Sequence, residues 1–290
     1  MFAIEKLRMN IMLSYLSQIG HLVKFHLDEQ KTKLEMGTLI TSIDIDVGNK
    51  ILGRVNEGKN DHNVNKSYSE YSIGFLEEMA LPIFLDLFEG FEVPVTFAIR
   101  GQWLDFPNDA LDWLLGSSVK HDVGAHGYYH KRFKHLSRME ADFELVKTKA
   151  AMNCQNLTPA SFVFPGNSVA HLDLLAKYRF TCYRDHGGFL KDGMYIRRHR
   201  QLWDVHPSLY VDQYSNFLVM RRILDLCSHR KLPFHIWFHL WNFGKTENSI
   251  QKCLKGLFFP FLRYAKHQAK DGRLTFETMA SAVRTMETEN

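Results

Sequence analysis

Short β-branched or aromatic runs recur along this chain, each followed by a segment of helical period, and that alternation restricts the fold more than any other feature. Gly37-Thr-Leu-Ile-Thr-Ser-Ile-Asp-Ile-Asp46 reads as a buried strand. Phe75, Leu76, Met79, Ile83, Leu87 and Phe88 then repeat at helical spacing, Gly90 closes them, and Val93–Ile99 is a second strand. Strand, helix, strand is the unit of a parallel sheet. The unit continues with a helix over 108–115, a strand through Val123 and a helix over 137–152, where Ser137 and Glu140 have capping-box spacing. A strand over 161–165, a helix over 171–178 and a strand over 180–184 follow. Beyond a Gly-rich loop, 202–207 reads as extended, 217–227 as helical, 234–240 as extended, 250–269 as helical and 274–277 as extended. About seven strands alternating with helices, without GxGxxG or GxxxxGK[ST], predict an α/β barrel and not a nucleotide-binding open sheet.

A chain of 290 residues with 45% hydrophobic content can fill such a barrel with a sizeable core. The expected organisation is an N-terminal helical extension over 1–36, packed on a barrel over 37–290, with a long polar loop over 49–72. Net charge is +4, and Lys and Arg are mixed with Asp and Glu instead of gathered in runs, so no nucleic-acid partner is expected. Cys154, Cys182, Cys227 and Cys253 form no CxxC pair and read as reduced thiols. The least charged N-terminal run, Met9 to Val23, is too short and too polar to span a bilayer, and it lacks a small-residue cleavage site. No transmembrane segment is expected, and the expected compartment is the cytoplasm, with association at a membrane surface left open.

Polar residues gather where the strands end: Asp44 and Asp46, His126, Asn167, Arg184, His206 and His239. In barrels of this class that end carries the active site. Asp44 and Asp46, at i and i+2, share one strand face and leave Ile43 and Ile45 on the other. Two acids aimed into one interior need a counter-ion or a shared proton. His126 and His130 are four apart in a loop leaving a strand, an interval that lets both rings turn onto one ion. Asp46, His126 and His130 together suit zinc or another divalent transition metal with open positions for water and substrate. Asp44 is then placed to take a proton from a water that the cation acidifies, and His239 is the candidate general acid. His235 also precedes His239 by four, but on a strand that is roughly 13 Å, so one is assigned a functional role and the other a structural one.

These motifs, in this order over residues 38 to 280, resemble the polysaccharide deacetylases, the carbohydrate esterases with a NodB homology domain. Ser42-Ile-Asp-Ile-Asp46 is similar to the first motif of that family, His126-Gly-Tyr-Tyr-His130 to the second, Ser161-Phe-Val-Phe-Pro-Gly-Asn167 to the third and Ile236-Trp-Phe-His239 to the last. The resemblance implies a distorted (β/α)7 barrel, Asp44 as base, His239 as acid, a metal on Asp46, His126 and His130, and removal of an acetyl group from an N-acetylated sugar. It also implies substrate contacts from Pro165, Asn167, Arg184, Trp203, Asp204 and Trp241, with Tyr128, Phe164, Trp203 and Trp241 as rings for a sugar to stack on. Where the family has an arginine two before the proline, this chain has Val163, and Arg184 is the expected replacement. Asp204 is expected to orient His239, while His206 has no assigned role. Two alternatives stay open: an amide hydrolase acting on a small non-sugar substrate, and a non-catalytic glycan-binding protein.

Overall fold

The computed structural model describes residues 34–46, 74–106, 109–185 and 193–288. The expected N-terminal helix lies almost wholly outside these residues, as does the loop over 49–72. Among the described residues, ten strands form one curled sheet: β1 (Gly37–Ile45), β2 (Thr96–Ile99), β3 (Asp122–Ala125), β4 (Ser161–Val163), β5 (Cys182–Arg184), β6 (Ile196–His199), β7 (Leu202–Val205), β8 (Leu209–Tyr210), β9 (Pro233–His239) and β10 (Leu274–Glu277). The order is β6-β7-β5-β4-β3-β2-β1-β9-β8, and β10 pairs with the start of β1. Every pairing is parallel except the β6–β7 hairpin. The helices are α1 (Leu81–Gly90), α2 (Asp109–Leu115), α3 (Arg138–Cys154), α4 (Leu172–Lys177), α5 (Phe217–Arg230), α6 (Glu247–Cys253), α7 (Phe259–Lys270) and α8 (Met279–Thr288). The α/β barrel expectation is met, and so is the capping box at α3, where Ser137 and Glu140 exchange side-chain and backbone hydrogen bonds.

Strand alternation sorts the core into two parts. Leu39, Ile43 and Ile45 of β1 and Phe234, Ile236 and Phe238 of β9 face outward and meet the helices. Phe84 of α1 packs against Phe238 and Phe243, each at 5.4 Å between ring centroids, and edge-on to Phe258 at 5.7 Å. These aromatic contacts lock the outer face of β9 and so fix which of its residues point inward. On the inner face Ile40, Ala98, Val163, Cys182, Trp203 and Val205 pack against Met279, Ala282, Val283 and Met286 of α8. Helix α8 therefore plugs the end of the barrel opposite the strand C-termini, and its first amide donates to Thr96 Oγ1 at 2.8 Å.

Strands β6 and β8 and helix α8 are not among the elements expected from the sequence. Strand β6 exposes Arg197, Arg198 and His199, so it carries no alternating pattern to find. Helix α8 does have one, since Met279, Ala282, Val283 and Met286 recur at i, i+3, i+4 and i+7.

The curled sheet has a seam between β7 and β8, which lie at opposite parts of the strand order. His235 of β9 closes it. Its Nδ1 lies 3.2 Å from the Val205 carbonyl of β7, and its Nε2 lies 2.8 Å from Ser42 Oγ of β1. A carbonyl can only accept, so Nδ1 carries the proton and Ser42 donates to Nε2. One fully buried imidazole thus ties three strands together, which is the structural role expected of one of the two β9 histidines. Burial, with Arg184 nearby, lowers its pKa to about 3 and keeps it neutral.

Candidate active site

Strand β1 is buried along its whole length and delivers Asp44 and Asp46 to the C-terminal mouth of the barrel. Asp44 is in register with His239 of β9, so the two enter side by side. His126 follows β3, its amide donating to the Ile99 carbonyl at 2.8 Å. The chain then turns back through Gly127 at φ +69°, where a side chain would crowd Glu144 and Pro165, and through His130 at φ +61°. Buried Glu144 of α3 holds that turn from behind, one oxygen accepting the amides of Tyr128 at 3.0 Å and Tyr129 at 2.7 Å.

The folding of this turn brings the two imidazoles and a carboxylate together. His126 Nε2 and His130 Nε2 are 3.2 Å apart, His130 Nε2 is 3.2 Å from Asp46 Oδ2, and the ligand atoms of all three residues lie within 4.8 Å of one another. His126 Nδ1 donates to the Val163 carbonyl at 2.8 Å, which leaves Nε2 as the lone-pair nitrogen facing the site. Burial lowers the pKa of His126 to about 4, and burial together with Arg100 lowers that of His130 to about 3. Both rings are therefore neutral at ordinary pH. Both carboxylate oxygens of Asp46 are buried without a hydrogen-bond partner among the described residues, and burial raises its pKa although His239 and His126 oppose this. An orphaned carboxylate beside two neutral imidazoles fits a divalent transition metal.

Asp44 stands in a different environment. Arg184 grips it with two bonds, Nη1 to Oδ1 at 2.7 Å and Nη2 to Oδ2 at 2.6 Å. The same Nη1 reaches Ser42 Oγ at 3.0 Å, and the guanidinium lies over the Trp237 ring at 4.3 Å. Arg184 is fully buried, so this is no surface ion pair. Burial would raise the Asp44 carboxyl, but the Arg184 guanidinium outweighs it, with His126 and His239, and holds Asp44 well below its ordinary pKa. The arginine that Val163 does not supply thus reaches Asp44 from β5.

His239 Nε2 faces both acids, 3.8 Å from Asp44 Oδ2 and 3.6 Å from Asp46 Oδ2. Burial lowers its pKa, against the raising effect of Asp46 and Asp44. Its amide donates to Asn242 Oδ1 at 2.7 Å, and Trp241 stacks on its ring at 4.4 Å. Pro165 is buried against the Gly127 turn, while Asn167, at φ +53°, holds the next bend through its own backbone.

Several expectations need correction. Asp204 does not orient His239. Trp203 and Val205 face the barrel interior, so Asp204 faces outward, where Arg197 binds it and it groups with Asp185 and His206. Burial and Asp185 push its carboxyl up, to about 8. Trp203 is buried against α8, with Nε1 donating to Glu287, and offers no face to a sugar. Phe164 is fully buried among Phe133, Phe162 and Tyr183, and Tyr128 is buried with its hydroxyl bonded to Asp105.

Arg100 and Glu144 are absent from the sequence reading. Arg100 ends β2 as Asp46 ends β1, buried and bonded to the Tyr128 carbonyl and to Gln102. The rule that polar residues gather at strand ends would have found it. Nothing in the sequence marks Glu144, whose role exists only once α3 packs behind the histidine turn.

No protein-family model matches the sequence, and no curated protein matches it either. Solved structures do match in fold. A protein from Mycobacterium smegmatis described as a polysaccharide deacetylase superposes with TM-score 0.65 at 14% identity, over 90% of this chain and 93% of its own. One from Pseudomonas aeruginosa PAO1, similarly described, gives TM-score 0.65 at 12% identity, over 87% and 91%. The Puue allantoinase gives TM-score 0.63 at 12% identity, over 85% and 89%. With this topology and these neighbours, the chain has the fold of a NodB-like polysaccharide deacetylase domain.

Proposed function

We propose that this protein is a metal-dependent hydrolase that removes the acetyl group from an N-acetylated sugar, acting in the assembly of a surface glycan or glycoconjugate. The observation that carries the reading is the pairing of two unlike carboxylates at one strand end: Asp44, ionised by Arg184, and Asp46, orphaned beside His126 and His130. Environments that push two neighbouring acids apart are how acid and base roles are divided. Asp46, His126 and His130 would hold the metal, zinc first among the candidates, and when bound it would polarise the acyl carbonyl and acidify a water.

The chain's own groups supply the proton transfers. Asp44 stays ionised across the physiological range, and its low pKa makes it a base suited only to an already acidified water. Water loses its proton to Asp44 and adds to the carbonyl carbon; the C–N bond then breaks. His239 Nε2, 3.8 Å from Asp44 Oδ2, takes that proton from the carboxyl and delivers it to the departing amine nitrogen. Arg184 orients Asp44 and neutralises it between turnovers. Trp241 and Asn242 hold the imidazole from its ring face and its amide.

The test is acetate release from a panel of N-acetylated sugars by zinc-loaded protein, with Asp44→Asn as the control. Release that Asp44→Asn abolishes supports the reading. A second reading, an amide hydrolase acting on a small non-sugar substrate, draws on the fold likeness to the allantoinase. Hydrolysis of a small non-sugar amide or imide without acetate release from any sugar would favour it.

A further inference from the structure

On the outer side of the same strand ends, three buried residues form a second constellation that the proposed reaction does not use. Asp204 and His206, at i and i+2, follow one face of β7 and its extension, and Asp185 comes from the adjacent end of β5, where Tyr183 and Asp204 are in register. They are 1%, 2% and 5% exposed respectively, and one potential ligand atom from each lies within 4.8 Å of the others. His206 Nδ1 sits 2.7 Å from Asp185 Oδ1, and Tyr195 stacks on the imidazole at 4.4 Å.

Two polar atoms of the group stand without a partner among the described residues. Arg197 approaches Asp204 Oδ2 at 3.3 Å, but its own side chain is 59% exposed. Asp204 Oδ1 and His206 Nε2 are buried and have no hydrogen-bond partner among the described residues. A buried carboxylate oxygen and a buried imidazole nitrogen left unmet are each destabilising. A cation bound by carboxylate oxygens and an imidazole nitrogen meets both demands at once.

We propose that Asp185, Asp204 and His206 form a second binding site for a divalent transition metal, separate from the Asp46, His126 and His130 centre and structural in role. The ion clamps the end of β5 to β7 and to the β6–β7 hairpin, beside the seam that His235 closes. Asp185 directly follows Arg184, so the clamp also fixes the strand end that carries the guanidinium gripping Asp44. Inward and outward alternation sends Arg184 and Asp185 to opposite faces of the β5 end.

The experiment is zinc stoichiometry by elemental analysis after chelator treatment and equilibrium dialysis against Zn2+ alone. The expected result is two equivalents in the wild type, one in His126→Ala and one in Asp204→Asn, the two losses being additive in the double variant. His206→Asn is a second probe of near-constant size, and circular dichroism confirms that each variant is folded. An equivalent that survives His126→Ala and is lost in Asp204→Asn supports the second site even where the first centre fails to bind. Saturation at one equivalent that His126→Ala abolishes overturns the proposal, as does retention of both equivalents in folded Asp204→Asn and His206→Asn.

Discussion

The residues that distinguish this site are two acids two positions apart, made unlike by one arginine. Asp44→Asn removes the base and leaves Asp46, His126 and His130 in place, so acetate release is expected to fall by about 10²–10⁴-fold with the zinc content of that centre unchanged. Parallel measurements of turnover and metal content check this. Arg184→Ala strands Asp44 as a buried, unpaired carboxylate, and removal of one partner from such a pair costs about 3–5 kcal/mol. A urea unfolding curve reads that loss. Arg184→Lys keeps the charge but cannot make both bonds, so it should be intermediate in stability and in turnover.

Among the elements, α3 and β9 do the positioning. Glu144 reaches from α3 to two amides of the turn between His126 and His130, a turn with positive φ at both ends. Glu144→Gln keeps one acceptor and weakens both bonds; zinc affinity at the first centre is expected to drop about 10–100-fold, as it does when groups supporting metal ligands are lost. Competition with a chromogenic chelator measures it. In β9, His235→Phe removes the link from β1 to β7 and leaves the Ser42 hydroxyl and the Val205 carbonyl without that partner. The expected cost is about 2–5 kcal/mol, from two unmet buried groups, read as a lowered unfolding midpoint.

For the whole molecule, the buried neutral histidines set the response to acid. His126, His130 and His235 have pKa values lowered from 6.5 to about 4, 3 and 3. Below pH 6.5 the unfolded chain takes up protons that the folded, metal-free protein refuses. Their contribution to stability is therefore complete above about pH 6.5 and is lost as pH falls toward 4, at up to about 1.4 kcal/mol per pH unit for each group. Asp46, raised by burial, and Asp204, pushed up to about 8, oppose part of this, and Asp44 adds its own loss only below about 3.8. Urea midpoints of chelated protein at pH 7, 5.5 and 4.5 should fall steadily; a flat series would contradict the neutral assignment. Among the described residues, no helix is long and apolar enough to cross a membrane.

The strand–helix rhythm, the shared face of Asp44 and Asp46, and the histidine pair are legible in the sequence, because each is a property of local period or spacing. Apolar runs one pleat apart and helical repeats three or four apart are visible without knowing any partner. The partners themselves came only with the tertiary structure. Arg184 meets Asp44 from 140 positions away, His235 joins β1 to β7, and Glu144 finds amides that no local pattern points to. Asp204 shows the limit most plainly: its neighbour Trp203 faces the barrel interior, so the pleat sends Asp204 outward, away from the histidine it was expected to hold. Which face a strand residue takes follows from the register of the closed sheet, and that register is fixed by contacts distant in the chain.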